Sequence, residues 1–479
     1  MSRKNLQHIT LKSTEKPAKK NQNKSDFSSE NSTIQSTFSE VDLEDLHHLD
    51  FAAGISPYLR GISSTMYVTS TWNINQSAQF YSSEAYNAFY IRQFKAGQRS
   101  FYLDLDWKQN EKFNIETLEH FKGIFKHISL EEISISLSDN AISLPLLAFY
   151  IVTAETQNLN LEQLKGNFNV DVLTDLNIQN RAKNSERITS DILAYAKTNL
   201  PKFNSISISG DTLHTITSNP ETQLALMLIC GNKQLKEGLA SGLKIDDITP
   251  RLSFNFELGL QHFTEIAKLR AARMLWAKIV KSHHPKNEKS LALHIHSRTI
   301  SNGFSNSDLC HSVTKTTIEA AAAAFGGSQS LQTQSLYTST SESERLDRNI
   351  QLYLKEETQI TKTVDPWAGS FYVEKRTSDF AEKTWELFEA YETLGKLPDS
   401  IQTTLYQLNV NTSNLNKSED KNSFQPLQET PLNRDEDAIT NALLRLKKAT
   451  HNSNENLLTL AIEAVRNHAT LSEIYNALN

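Results

Sequence analysis

Seven short segments with the composition of β-strands recur along the middle of the 479-residue chain, and helical patterns separate them. The gaps are long enough for crossover helices, which parallel strands need because a tight hairpin cannot join them. About eight such units close into a (β/α)8 TIM barrel, and an open doubly wound sheet is the alternative. We therefore predict an α/β fold built around a (β/α)8 barrel. The candidate strands cover residues 100–107, 132–137, 164–170, 203–209, 252–258, 290–297 and 329–336.

Residues 262–283 give the clearest helical pattern, because their apolar side chains repeat near a period of 3.6 residues. The spacing predicts an amphipathic helix with one buried face. A second helix runs through the alanines of "TTIEAAAAAFGG" and is expected to end at Gly326 and Gly327, where a left-handed cap fits. The chain contains neither GxGxxG nor GxxxxGK[ST], so it has no nucleotide-binding fingerprint.

The two ends of the chain differ in composition from its middle. Residues 1–46 are rich in Ser, Asn, Gln and Lys without periodicity, which predicts a flexible, disordered N-terminal arm. We expect residues 47–395 to form the barrel and residues 396–437 to form a polar linker. The last stretch, 438–479, returns to a helical period and predicts a small helical appendage.

Charge and cysteine content narrow the class of partner and the compartment. A net charge of −6 and a pI near 6.2 give no basis for binding nucleic acid, which leaves a small molecule or a protein as partner. No uninterrupted apolar run of about 18 residues occurs, so no membrane association is expected. The Lys-rich N-terminus lacks the apolar core of a secretory signal and only weakly resembles a mitochondrial presequence. Cys230 and Cys310 are expected to be core residues of a cytoplasmic protein.

A carboxylate, a hydroxyl and an imidazole follow the candidate strand 203–209. Asp211, Thr212 and His214 fall at the strand end where barrel enzymes place their chemistry. A catalytic triad would need a nucleophile and base in mutual hydrogen-bond geometry, and Thr212 and His214 are only two residues apart in a predicted turn. The residues alone therefore favour a polar rim over a triad.

His294 and His296 alternate on a candidate strand, so both side chains are predicted to point into the barrel. Such a pair could bind zinc, but no later strand end supplies the further ligands that a metal site needs. We predict satisfied polar residues and no metal site. Four other histidines are predicted to be solvent-exposed: His47, His48, His283 and His284.

Two further stretches are interpreted structurally. Residues 365–374, "DPWAGSFYVE", carry turn signals around an aromatic residue and are predicted to pack. Residues 65–80 are polar and contain three aromatics, which predicts a loop over the barrel mouth.

Several stretches together resemble one family, the adenosylcobalamin-dependent acyl-CoA mutases, methylmalonyl-CoA mutase in particular. The likeness covers about residues 51–390 and returns near the end in "NENLLTLAIEAVRNHATLSEIYNAL". It implies a (β/α)8 barrel whose centre is threaded by the pantetheine chain of CoA. The matching stretches, in the family's order, are "FAAGISPYLRGISSTMY", "PKFNSISISG", "PRLSFNFELGLQHFTEIAKLRAARMLWAKIVK", "PKNEKSLALHIHS", "GGSQSLQTQS" and "DPWAGSFYVE".

Positions that the family uses for chemistry carry other residues here. Asp211 and Thr212 stand where the family has a Tyr-His pair that meets the substrate thioester. Ser70, Asn75 and Ser77 stand where the family has two arginines and the tyrosine over the corrin. Each lost guanidinium removes a charge-assisted clamp worth a few kcal/mol.

Other departures lie on the remaining strands. Gln179 falls where the family places an arginine against the substrate carboxylate, and Asn169 falls where it has a CoA-contacting glutamine. The family's Arg-x-His becomes His294 and His296, and the histidine of Ser-Leu-His-Thr-Asn becomes Gln332. Together these positions form a vestigial substrate rim: Ser70, Asn75, Ser77, Asn169, Gln179, Asp211, Thr212, His294 and Gln332.

The resemblance, with these departures, implies a pseudoenzyme: the small (beta), non-catalytic subunit of a heterodimeric methylmalonyl-CoA mutase. The chain would have no catalytic, cofactor-binding or metal-binding residue of its own and no cobalamin-binding domain. Its partner, the catalytic large (alpha) subunit, would carry adenosylcobalamin and interconvert methylmalonyl-CoA and succinyl-CoA by a radical mechanism in propionate metabolism.

Two alternatives stay open. One is a stand-alone barrel derived from the family that binds a small ligand of its own, since Asp211, Gln332 and His294 make the barrel mouth polar. The other is an enzyme of altered chemistry that uses His294 and His296 with a metal. Whether this chain itself catalyses any reaction is left open by the sequence.

Overall fold

The computed structural model describes most of the chain and divides it into two compact units, Met1–Asp45 and Leu46–Asn479. In the first unit, β1 (Phe27–Ser29) pairs antiparallel with β2 (Ser32–Ile34), and a 3-10 turn follows at Glu40–Leu43. The described residues are 27–29, 32–34, 37–77, 80, 82–103, 115–137, 143–171, 184–211, 213–300, 309–334, 341–394, 434–452 and 455–478.

The second unit is built on a closed barrel of eight parallel strands, in the order β10-β3-β4-β5-β6-β7-β8-β9. This arrangement confirms the predicted (β/α)8 barrel and excludes the open sheet. The strands are β3 (Asn73–Ser77), β4 (Ser100–Leu103), β5 (Ser134–Leu137), β6 (Lys165–Asp171), β7 (Phe203–Ser209), β8 (Leu252–Leu258), β9 (His294–Thr299) and β10 (Ser330–Gln332).

Helices surround the barrel and connect its strands. The described helices are α1 (Ser83–Lys95), α2 (Leu118–Ile124), α3 (Ser143–Thr156), α4 (Ser185–Asn199), α5 (Pro220–Ala240), α6 (Ile245–Ile248), α7 (His262–Ser282), α8 (Leu309–Phe325), α9 (Ser341–Glu356), α10 (Phe371–Leu394), α11 (Glu436–Asn452), α12 (Leu457–Arg466) and α13 (Leu471–Leu478).

The first barrel strand lies where the sequence predicted a loop. Residues 65–80 include β3, which pairs with β4 on one side and β10 on the other. The strand escaped detection because both of its faces carry polar side chains. Asn75 faces the lumen, while Gln76 on the outer face donates a hydrogen bond to the carbonyl oxygen of Glu344 at 2.6 Å. The prediction of a loop over the mouth is therefore wrong for Asn73–Ser77.

The hydrophobic core lies between the outer faces of the strands and the helices. Ile206, Ile208 and Phe254 point outward from β7 and β8 and are fully buried. Phe254 meets Trp276 of α7 edge-on, with ring centroids 4.9 Å apart. Burying each such side chain stabilises the fold by about 1.5–3 kcal/mol, so the barrel is held mainly by its outer shell.

The C-terminal helices cover the outside of α3. Residues 143–154 of α3 are all buried, because the barrel lies on one side of this helix and α12 packs on the other. The backbone N–H of Leu457, at the start of α12, donates to Asp191 Oδ2 at 2.8 Å. Ser472 Oγ donates to Glu116 Oε1, also at 2.8 Å. The end of the chain is thus an integral part of this compact unit.

The two helices singled out in the sequence are present. The predicted helix 262–283 is α7, and the alanine-rich helix is α8, followed by Gly327 in a left-handed conformation with φ of +81°. The cysteine prediction is half right, since Cys230 is buried but Cys310 is exposed at the start of α8. In the described part of the chain, no helix combines the length and apolar character needed to cross a membrane.

Candidate functional site

Polar side chains line the lumen of the barrel. Aligned residues of neighbouring parallel strands point to the same face, and the register aligns Asn75 with both Ser100 and Gln332. Barrels of this type are usually filled by large branched apolar side chains, and serine and asparagine leave more space. The lumen-facing set includes Asn75, Ser100, Ser134, Ser136, Asn167, Asn169, Ser207, Ser253, Asn255, His294, His296, Ser330 and Gln332.

This lining leaves a cavity of about 420 Å³ in the amino-terminal half of the barrel. The strands form its walls, and the segment 61–72 lies across its end. Asn75 is only 3% exposed, and its Oδ1 has no hydrogen-bond partner among the described residues; the same holds for Oδ1 of Asn167. The cavity therefore presents buried acceptors that a bound donor could satisfy.

The two lumen histidines are uncharged near neutral pH. Burial lowers the pKa of His294, and burial lowers the pKa of His296 to about 4. His296 Nδ1 lies 2.6 Å from Ser330 Oγ, while His294 lines the cavity. Within the described ranges, no group of three or more His, Cys, Asp or Glu side chains is arranged to hold a metal ion.

An ion pair lies across the carboxyl end of the barrel. Arg298 Nη1 donates to Asp211 Oδ2 at 3.2 Å, and Asn255 Nδ2 donates to Asp211 Oδ1 at 3.0 Å. Asp211 follows β7, Asn255 lies on β8 and Arg298 lies on β9, so the contacts join three consecutive strands. The carboxylate that the sequence placed at the rim is thus neutralised by its own barrel.

A second pair lies beside the first. His214 Nδ1 lies 2.6 Å from Glu257 Oε2. The hydrogen bond that His214 donates to the Glu257 carboxylate raises the pKa of His214 above its usual value. The side chain of Asp211 is thus bound by Arg298 and Asn255, and that of His214 by Glu257. Asp211 and His214 are therefore not arranged as members of a catalytic triad.

The structure distributes the rim residues predicted from sequence over two levels. Ser70, Asn75 and His294 line the amino-terminal cavity. Asp211 lies at the carboxyl end, and Asn169 Nδ2 donates to the hydroxyl of Tyr102 at 3.2 Å. Gln332 is a buried lumen residue of β10, aligned with Arg298. Gln179, Thr212 and the side chain of Ser77 lie outside the described residues.

A buried charge cluster was missed by the sequence reasoning. Arg60 Nη1 donates to Asp365 Oδ2 at 2.9 Å and to Glu374 Oε1 at 2.8 Å. Arg270 Nη1 donates to Asp365 Oδ1 at 2.5 Å, and its Nη2 donates to Glu374 Oε1 at 3.0 Å. His48 Nε2 lies 2.8 Å from Glu374 Oε2. We call these five residues the arginine–carboxylate cluster.

One prediction is corrected by this cluster: His48 is buried rather than solvent-exposed, because it contacts Glu374. Residues 365–374 pack as predicted, with the Trp367 ring edge-on to Phe263 and Phe325, and they also supply the two carboxylates of the cluster. A signal for the cluster was present, since Arg270 and Arg273 lie in the predicted helix 262–283 and both are buried there. Buried arginines require carboxylates or carbonyl oxygens as partners.

A second group of buried ionisable side chains lies at the start of α7 and along α8. Lys268 Nζ lies 2.5 Å from Glu265 Oε2, and Lys315 Nζ lies 3.6 Å from Glu319 Oε1. Lys268 also donates to the carbonyl oxygen of Glu257 at 3.1 Å, which connects this group to the carboxyl rim. Burial raises the pKa of Glu319 to about 8, so its folded carboxyl group is protonated at neutral pH.

Replacing Glu319 by glutamine is expected to stabilise the fold increasingly as pH rises. A carboxyl group whose pKa is raised on folding contributes stability below its unfolded pKa of 4.5, and that contribution is lost as pH rises toward 8. Glutamine does not ionise and has no such loss. The difference in free energy of unfolding between E319Q and the parent chain should therefore shift in favour of E319Q by about 1–3 kcal/mol between about pH 5 and pH 9. Denaturant unfolding at both pH values measures this, with the exposed Glu288→Gln as control. A difference that does not change with pH would contradict the expectation.

Comparisons with known proteins agree with the family resemblance seen in the sequence. The family model described as methylmalonyl-CoA mutase matches residues 27–424 and 412–479. The methylmalonyl-CoA mutase large subunit of Porphyromonas gingivalis is 35% identical, over 93% of this chain and 70% of that protein. The methylmalonyl-CoA mutase of Escherichia coli is 34% identical over the same shares. The mitochondrial methylmalonyl-CoA mutase of Mus musculus is 32% identical, over 93% of this chain and 67% of its own length. This chain belongs to the methylmalonyl-CoA mutase family.

Proposed function

We propose that this chain is the small, non-catalytic subunit of a heterodimeric methylmalonyl-CoA mutase. It would support a catalytic large subunit that carries adenosylcobalamin and isomerises methylmalonyl-CoA and succinyl-CoA. The observation that carries the proposal is the Asp211–Arg298 pair at the carboxyl end of a mutase-family barrel. Among the described residues at this end, Asp211 is paired with Arg298 and His214 with Glu257, so these groups are directed at one another rather than toward a substrate.

The energetics of the rim support the proposal. Stabilising a reacting thioester or carboxylate requires donors already directed at its oxygens. Here Arg298 and Asn255 both donate to Asp211. If Arg298 turned toward a substrate, it would leave the partly buried Asp211 carboxylate without its counter-charge, which is unfavourable. Substrate binding at this position would therefore have to break the native contacts.

The described donors do not fit a resident corrin either. An imidazole is the commonest side-chain ligand of a metal ion. His214 is held by Glu257, and His296 is held inside the barrel by Ser330. We therefore assign adenosylcobalamin to the partner and derive no step of the reaction on this chain.

Co-expression with the cobalamin-binding mutase chain of the same organism tests the proposal. We expect a one-to-one complex by size-exclusion chromatography with light scattering, and isomerase activity in the complex only. Asp211→Asn and Arg298→Gln in this chain should leave the kcat of the complex unchanged. The matched control is removal of the partner's own active-site tyrosine, which should abolish activity. Turnover by this chain alone, or loss of turnover in Asp211→Asn, would overturn the assignment.

The cavity favours a second candidate function, a barrel that binds a small ligand of its own. Its volume of about 420 Å³ falls within the range of small-molecule sites. If the chain has this second function, we expect the purified protein to be a monomer or homodimer that retains a ligand. Native mass spectrometry of the purified chain separates it from the subunit assignment, because the two differ in both bound mass and assembly.

A further inference from the structure

Helix α11 presents one continuous exposed face. Its opposite face packs against α12 and α13 through buried side chains such as Ile439 and Leu446. Leu444 lies at the centre of the outer face and is 49% exposed. Residues three, four and seven positions away share a helix face with Leu444, and all six of these residues are exposed. They are Asp437, Thr440, Asn441, Lys447, Lys448 and His451.

Charge on this face is divided between its two ends. Asp437 lies two turns before Leu444, whereas the basic residues Lys447, Lys448 and His451 all lie after it. Asp437 and both lysines form no ion pair with any other residue that the structure describes. The face therefore has an acidic end, an apolar centre and a basic end, and its charges are available to a partner.

The basic end is also concave. A shallow surface depression lies beside Leu444 and is lined by the lysines of α11 and by Glu455. Arg445 belongs to the same depression but is already paired with Glu455 and Glu463, so it is occupied within this chain. An apolar side chain of a partner could pack here against Leu444 and the aliphatic stem of Lys448.

This face is complementary to itself. When two copies of α11 lie antiparallel about a two-fold axis at Leu444, each residue faces the one equally distant on the other side of the centre. Asp437 of one copy then faces His451 of the other and lies one turn from its Lys448. A two-fold contact makes every such pair twice. From this complementarity we propose that α11 is a contact surface between two copies of this chain, paired as antiparallel helices centred on Leu444.

The expected association is weak. The 17 residues of α11 span about 26 Å, and a single pair of such helices buries less than the roughly 1,200 Å² of a stable interface. Exposed ion pairs add little. We therefore expect a dissociation constant of about 0.1–1 mM. The inference does not rest on the proposed function. At micromolar concentrations, where assembly with a large subunit is tested, the pair would dissociate, so either idea can fail while the other stands.

Sedimentation equilibrium of the full chain tests the proposal at protein concentrations up to about 1 mM. We expect reversible dimerisation that weakens at least about threefold when salt rises from ~50 to ~500 mM, because the paired charges are exposed. Leu444→Glu places two carboxylates at the axis and should abolish it. Glu382→Lys, at an exposed position of α10, should change nothing. A monomer at every concentration, a dimer indifferent to salt, or a dimer that survives Leu444→Glu would overturn the proposal.

Two charge reversals test the antiparallel arrangement. Asp437→Lys and Lys448→Glu each place like charges next to one another across the axis, so each variant alone should dimerise at least about tenfold more weakly than the parent chain. In an equal mixture, the new lysine of one copy lies near the new glutamate of the other, and the parent pair forms on the second side. The mixture should therefore regain an affinity within about threefold of the parent. Both positions are exposed, and circular dichroism checks that each variant is folded. A mixture that associates no better than its components would refute the arrangement.

Discussion

Replacing Glu374 by alanine is expected to destabilise the folded chain by about 3–5 kcal/mol, because it removes the carboxylate that joins the arginine–carboxylate cluster. The Glu374 side chain is fully buried and contacts Arg60, Arg270 and His48, and it also accepts from the backbone N–H of Gly369 at 3.0 Å. Without it, two buried guanidinium groups would share Asp365 alone. Removing one partner of a buried ion network leaves an uncompensated charge, which costs more than the intact network contributes.

Denaturant unfolding measures this loss, and pH gives a second readout. Burial alone would raise the pKa of Glu374, but the His48 hydrogen bond and the Arg270 charge hold that pKa well below its usual range. The stability it contributes is therefore present above the unfolded carboxyl pKa of 4.5 and is lost as pH falls below it. Glu374→Gln should show a shallower loss of stability on acidification than the parent chain. Glu389→Ala, an exposed position of the same helix, is the control. Equal effects at Glu374 and Glu389 would refute the role of the cluster.

Replacing Gly166 by alanine is expected to lower the free energy of unfolding by about 3 kcal/mol or more, because the barrel has no space for a side-chain carbon there. A Cβ at this position would lie 2.1 Å from the carbonyl oxygen of Ile135 and 2.7 Å from a ring carbon of Phe203. Gly166 has a φ of +155° and lies where the pairing of β6 with β7 shifts register. Relief of the clash would require strand β5 or β7 to move.

Gly97→Ala is the matched control for this second prediction. Gly97 also has a positive φ, of +89°, but nothing lies within 4 Å of the Cβ it would gain. Gly97→Ala should therefore lower the free energy of unfolding only through backbone strain, by roughly 1–2 kcal/mol. The difference between the two variants in urea unfolding therefore isolates the steric contact. Equal losses would mean that β6 relaxes around the new methyl group, contrary to the expectation.

The sequence predicts the parts of this fold that are set by local pattern. Strands such as Phe203–Ser209 and Leu252–Leu258 were found with the observed bounds, because their outer faces are apolar and their inner faces are small or polar. Strand β3 was missed because its outer face carries Gln76, whose partner lies 268 residues away in the chain. Helix α7 was found because its apolar side chains recur near the helical period, although the helix is buried continuously from Glu265 to Arg273 and not on one face alone.

The candidate site was predictable in position but not in its contacts. Asp211 follows a recognisable strand, so its place at the carboxyl end could be inferred from topology. Its pairing with Arg298 depends on how β7, β8 and β9 align, which no local pattern specifies. The arginine–carboxylate cluster was hidden for the same reason, since Arg60 and Glu374 are separated by 314 positions. Long-range ion pairs leave only an indirect trace, such as a charged residue on a face that should be apolar.

The division of the barrel into an apolar outer shell and a polar lumen bears on how such a protein can diverge. Most of the free energy of folding is supplied where strands meet helices, and little comes from the serines and asparagines inside. Substitutions among small polar residues of the lumen therefore alter what the barrel can bind far more than whether it folds. A lineage could lose or exchange an inherited activity at such positions in single steps, each leaving a folded protein on which selection for another role can act.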